Sequence, residues 1–198
     1  MEQNEYDGHW ITTFTGLKFH YLDPQADEVN ILDIAHALSL LCRFNGHTKM
    51  FYSVAEHSLR VAHIVPNFPL AALLHDAHEA YISDIPRPIK ADMPIYEKIA
   101  ERIQRIIENK YGVGKYDKRE VKQADHILLA TEARDLMDNT KDWLELPTPL
   151  NKRIHPMKIE EVEVTFLRTF HSLVRRDYEE IPEMPISTVF GQYTTWTE

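Results

Sequence analysis

The stretch AALLHDAHEA, residues 71 to 80, sets His75 and Asp76 directly behind Ala71, Ala72, Leu73 and Leu74. Burying an imidazole or a carboxylate among such residues is costly unless something pairs with it. Successive side chains on a helix point about 100° apart, so the two are better placed to converge on a third object than to bond each other. His57 lies between Ala55 and Leu59, and Asp125 between Ala124 and the run HILLAT, in two further apolar helical stretches. Two imidazoles and two carboxylates suit a hard-to-borderline divalent ion such as Mn, Co, Fe or Zn, with positions left for water and substrate. Coordination of that ion offsets the cost of burial. Taken one at a time, each residue is equally explained as a histidine bonded to backbone or a carboxylate capping a neighbouring element. Spacing alone leaves both readings open.

Glu79 follows His75 by four residues and Asp76 by three, so on a continuous helix it shares their face. Asp84 comes at the end of that helix, ahead of IPRPIK. Carboxylates beside a metal can orient a water, accept its proton or protonate a leaving oxygen. The plainer accounts are a solvated helix face for Glu79 and a turn before proline for Asp84. His78, one turn from His75, is a candidate contact to a second metal, where Mg fits, or to a substrate phosphate. His47, His63 and His126 are assigned to structure. The single cysteine, Cys42, excludes an internal disulfide and a cysteine-rich zinc site, so ligands must come from the 11 His and 31 acidic residues.

The segments SVAEHS, LLHDAHEAYISDIPRPIK and KQADHILLATEA together resemble the HD-domain metal-dependent phosphohydrolases, through the ordered set H…HD…D. The resemblance covers roughly residues 30 to 140. Small 5′-deoxynucleotidases and phage dATP triphosphohydrolases, which keep adenine out of modified genomes, look most similar. The resemblance implies that His57, His75, Asp76 and Asp125 are metal ligands, and that Glu79 and Asp84 act on the nucleophilic water and the leaving group. It implies a substrate-contacting role for Arg43, a phosphate-binding role for Lys90, and a similar one for Lys122. The implied activity is divalent-metal-dependent phosphohydrolysis of deoxynucleotides. That means either a dNTP triphosphohydrolase, releasing deoxynucleoside and triphosphate, or a 5′-deoxynucleotidase acting on monophosphates. The same chemistry would serve a cyclic-nucleotide phosphodiesterase, and an HD fold lacking a ligand or acid would be a nucleotide sensor. None of the set is missing.

These residues need helices to hold them. WITTFTGLKFHY, residues 10 to 21, is rich in aromatic and β-branched residues around Thr15-Gly16 and predicts a short hairpin. Asn30 is an N-cap for ILDIAHALSLLCRF, which Asn45-Gly46 ends. Ser53 and Glu56 form an S-x-x-E capping box for VAEHSLRVAHI. Asn67 and Pro69 open one helix through PLAALLHDAHEAYI, and the proline-rich SDIPRPIKADMP reads as a structured loop. Further helices are predicted over YEKIAERIQRIIENKYG, closed by Gly112, over 118–137 and over 159–180, with an irregular tail from Pro182.

The expected architecture is therefore all-α, a helical bundle with a small N-terminal β-hairpin, forming a single domain over 1–198. Residues 141–198 carry no transferable motif. With 198 residues, 43% of them apolar, the chain can bury a sizeable core. A net charge of −9 disfavours nucleic-acid binding. A nucleotide remains bindable where a metal and a few cations share one pocket. No apolar run approaches a membrane span, and the acidic start MEQNEYDGHW is unlike a leader, so a cytoplasmic protein is expected (host cytoplasm if phage-encoded). The apolar stripe of helix 94–111 offers a face for homo-oligomers.

Overall fold

A computed structural model describes residues 8–141, 143 and 146–176. The predicted hairpin is present as β1 (Ile11–Thr12) paired antiparallel with β2 (Lys18–Phe19), Ile11 opposite Phe19. Gly16 takes φ 83° at its turn, a conformation glycine adopts without steric cost. The hairpin is anchored from below: the Thr15 backbone N–H and hydroxyl both donate to the buried Asp33 carboxylate, at 2.7 and 2.9 Å. Phe19 is fully buried and stacks on Tyr81 at 3.8 Å.

Eight α-helices follow among the described residues, confirming the all-α expectation. Helix α1 (Ile31–Leu40) is capped by Asn30, whose side chain accepts from the Leu32 N–H. It is shorter than its apolar pattern predicts. Past Leu40 the chain becomes extended, because Cys42 bridges Ser53 and the Arg43 N–H donates to the Tyr52 carbonyl. A tight turn at Arg43–Gly46 follows, with Phe44 and Asn45 both left-handed at φ 54° and 51°. Two adjacent non-glycine residues in that region store strain that the surrounding packing must hold.

Helix α2 (Val54–Ile64) is the centre of the molecule, packed against α1, α3 (Pro69–Leu73), α7 (Lys118–Leu136) and α8 (Ile159–Arg176). Its six residues Val54 to Leu59 are all buried. Only half of its predicted capping box forms. Ser53 Oγ accepts from the Glu56 N–H, but the Glu56 carboxylate turns away to Arg60 and to the Met157 N–H. Ile34, Leu38, Leu73, Leu74, Leu128 and Phe166 close around α2 with no more than 1% exposed. Each such side chain contributes about 1.5–3 kcal/mol on leaving water.

The predicted helix over residues 69–82 is broken. It exists as α3 and the short α4 (Glu79–Ile82), with tight turns between. The proline-rich segment holds one helical turn, α5 (Arg87–Lys90), before α6 (Pro94–Lys110). Two buried carboxylates fasten the segment after α7: Asp135 accepts from Arg134, Arg153 and the Ile154 N–H, and Glu56 holds Met157. The predicted end of the last helix at 177–180 and the tail from 182 lie outside the described residues. No helix among the described residues is long and apolar enough to cross a membrane.

Candidate metal centre

The break between α3 and α4 is where the sequence's most polar apolar-run residues sit, and its bonding shows why it forms. In a continuous helix the Ala72 carbonyl would accept from the Asp76 N–H. Here it accepts from His75 Nδ1 at 2.8 Å instead. The Leu74 carbonyl takes the Ala77 N–H and, from α6, the Gln104 Nε2 at 2.8 Å. Three-residue bonds from Glu79 to Asp76 and from Tyr81 to His78 complete the tighter path. Helical spacing therefore misjudges this pair. The turn brings Asp76 Oδ2 to 3.1 Å from His75 Nε2, an approach that a regular helix disfavours.

His57 arrives from α2 and Asp125 from α7. His57 Nε2 lies 3.2 Å from Asp125 Oδ1 and 3.8 Å from Asp76 Oδ2. One donor atom each from His57, His75 and Asp125 fall within 4.8 Å of one another, so these three can hold a metal ion. Donors each about 2.0–2.2 Å from one ion stand roughly 3–3.5 Å apart, and His57 Nε2 and Asp125 Oδ1 stand at 3.2 Å. A carbonyl can only accept, so His75 Nδ1 carries a proton and Nε2 is the atom turned to the cluster. Both buried Nε2 atoms, of His57 and His75, lack a hydrogen-bond partner. Unpartnered buried imidazole nitrogens facing two carboxylates fit a cation.

The electrostatics agree. Burial would lower the His75 pKa, yet Asp76 and Asp125 lift it to about 9. Burial opposes ionisation of both carboxylates, but the imidazoles hold Asp125 down at about 2 and Asp76 well below its usual range. The cluster attracts positive charge, as protons or as metal.

Around it stand the other candidates. Glu79 is buried at the start of α4; its Oε1 accepts from Lys90 Nζ at 2.9 Å, while Oε2 is buried with no partner. Burial, then Asp76 and Asp84, push its pKa well up, against the pull of Lys90. Asp84 follows Ser83, left-handed at φ 72°, and its Oδ1 lies 3.8 Å from Lys90 Nζ. Arg43 reaches in from its turn, with Nη1 3.9 Å from Asp76 Oδ2. Its guanidinium also lies 5.1 Å from the Phe44 ring, beyond which Trp143 sits at 5.9 Å. His78 is held by Gln104, whose Oε1 is 3.2 Å from Nδ1. Lys122 is exposed on α7, one turn before Asp125, and pairs with none of the described side chains. His126, assigned to structure, lies 3.4 Å from the Arg87 guanidinium.

One residue of the cluster lies outside the ordered set H…HD…D. Glu132 of α7 is fully buried, with Oε1 2.7 Å from His57 Nδ1 and Oε2 3.0 Å from Arg43 Nη2. Its signal was available: it follows Asp125 by seven residues, two turns along the same helix face.

The chain is 46% identical over 136 residues to YfdR, an uncharacterized protein of Escherichia coli, covering 68% of this chain and 76% of that one. It is 33% identical over 188 residues to an uncharacterized protein of Rhodobacter capsulatus, covering 84% of this chain and 96% of the other. No family model matches the chain.

Proposed function

Since the chain belongs to the family of YfdR and its Rhodobacter relative, both uncharacterized, we propose a function from the geometry of its own site: divalent-metal-dependent hydrolysis of deoxynucleotide phosphate esters. His57, His75, Asp76 and Asp125 would hold the ion, which could be Co, Mn, Zn or Fe, with Mg at a second position. When bound, it supplies Lewis acidity, lowering the pKa of water and drawing charge from a phosphoryl oxygen.

The observation that carries the reading is Glu79. One carboxylate oxygen is tied to Lys90, and the other is buried, unpartnered and close in sequence to the ligands. A carboxylate with a raised pKa is suited to take a proton from water near neutral pH. Water attacks phosphorus as Glu79 receives that proton, the bond from phosphorus to the 5′ oxygen breaks, and Asp84 supplies the proton to that oxygen. Arg43 and Lys90 hold the phosphate oxygens whose charge grows in the transition state. His78 and the exposed Lys122 would serve the more distant phosphates, and Phe44 offers a ring for the base.

Attack at the α-phosphorus of a dNTP, dATP included, releases deoxynucleoside and triphosphate. The same steps on a dNMP release deoxynucleoside and phosphate. The test is a panel of dNTPs and dNMPs incubated with Co, Mn, Mg or Zn, with products separated chromatographically. Metal-dependent release of deoxynucleoside supports the reading; no turnover of any member with any ion refutes it.

A further inference from the structure

The imidazole of His57 faces a carboxylate of one helix at each of its two nitrogens. Asp125 Oδ1 stands 3.2 Å from Nε2, and Glu132 Oε1 stands 2.7 Å from Nδ1. The two carboxylates share a face of α7, two turns apart. The second oxygen of Glu132 receives the Arg43 guanidinium at 3.0 Å, and the other Arg43 terminal nitrogen lies 3.9 Å from Asp76. The middle of this network is closed from water: Glu132 and His57 are fully buried, and the Arg43 side chain is 11% exposed.

We propose that Glu132 is a positioning residue that sets two working groups at once, the metal-facing nitrogen of His57 and the phosphate-facing edge of Arg43. The inference rests on the metal centre proposed above and adds the means by which that centre is coupled to phosphate binding. An ionised carboxylate is acceptor-only, so it fixes the proton on Nδ1 and leaves the Nε2 lone pair for the ion. Arg43 Nη2 at 3.0 Å and His57 Nδ1 at 2.7 Å take one oxygen each, the arrangement that suits an ionised carboxylate. Two donors on its two oxygens also fix the carboxylate plane, and with it the direction in which Arg43 points. Partners of this kind typically govern metal affinity by 10–100-fold.

The decisive variant is Glu132→Gln. It preserves shape, but one amide end must now present N–H groups to either His57 or Arg43, which are both donors. The folded variant is expected to bind zinc about 10–100-fold more weakly than wild type in chelator competition. Zinc-loaded variant should also bind inorganic triphosphate more weakly, since Arg43 has lost its anchor. A residue of purely structural importance would lower the melting temperature and leave both affinities of the folded protein unchanged, and that result overturns the proposal. If Glu132→Gln does not fold, the imidazole nitrogens of His57 in the zinc-loaded wild-type chain decide by long-range proton–nitrogen correlation. A proton on Nδ1 supports the proposal, and a proton on Nε2 overturns it. A wild-type chain that takes up no zinc, cobalt or manganese instead overturns the metal centre, and the role of Glu132 with it.

Discussion

Replacing Lys90 by methionine separates its ion pair with Glu79 from the phosphate contact proposed for it. Its Nζ is 2.9 Å from Glu79 Oε1 and 3.8 Å from Asp84 Oδ1. The ammonium favours the ionised form of Glu79, so removing it raises the Glu79 pKa. At 2.9 Å, Coulomb's law gives about 1.4 kcal/mol with the dielectric constant of water and about 6 kcal/mol with an effective value of 20. The Lys90 side chain is 25% exposed and that of Glu79 3%, so the lower figure is a floor. One pKa unit corresponds to 1.36 kcal/mol, so the Glu79 pKa should rise by at least about one unit. Glu79 accepts a proton only when ionised. The acid limb of kcat/KM against pH, measured on a deoxynucleotide that wild type turns over, should therefore move upward by the same amount. The height of the plateau reports loss of a phosphate contact, whereas the position of the limb reports the ion pair alone. A lowered plateau with an unmoved acid limb would refute the assignment of Glu79 as the base.

Glu79→Gln should fold and keep its metal while turnover falls by about 10²–10⁴-fold, checked by metal analysis and single-turnover rates. Asp84→Asn should slow hydrolysis too, with less effect on substrates whose leaving group needs no proton, such as nitrophenyl esters. His75→Ala and Asp76→Ala should each lose most bound metal by elemental analysis, and full occupancy in both would end the metal-centre reading. Asp135→Ala strips a buried carboxylate from Arg134, Arg153 and the Ile154 N–H. It should destabilise by about 2 kcal/mol and lower Tm by roughly 4–8 °C, read by calorimetry.

What the sequence made legible is what depends on near neighbours. The caps at Asn30 and Ser53, the turn glycine of the hairpin, and the long amphipathic helices α6 and α7 all follow from residues within a few positions of each other. The departures come from bonds across the chain. Helix α1 stops early because Cys42 pairs with Ser53, and no pattern within residues 31–44 announces that pairing. Glu56 abandons its capping box for Met157, 101 residues away. The break at His75 needs Gln104, 30 residues on, to take the Leu74 carbonyl. The seven-residue spacing puts Glu132 on the face of Asp125, but its role comes from partners 75 and 89 residues distant. Of the site residues drawn from the resemblance, His57, His75, Asp76, Asp125 and Arg43 meet in one cluster, Glu79 and Asp84 meet at Lys90, and Lys122 stays on the surface.

The break between α3 and α4 also sets a timescale. His57 rides on α2 within the buried run Val54 to Leu59, whose amides should exchange with solvent only when the whole molecule opens. His75 and Asp76 ride on a run of tight turns flanked by helices of only five and four residues. With so few helical bonds to break, that run should open at lower cost than the bundle. Escape of a bound ion should then follow the local opening of residues 74–78, far faster than global unfolding. Residence time would be tuned by substitutions at Gln104, which braces the turn from α6, and be nearly indifferent to substitutions that merely stabilise the core.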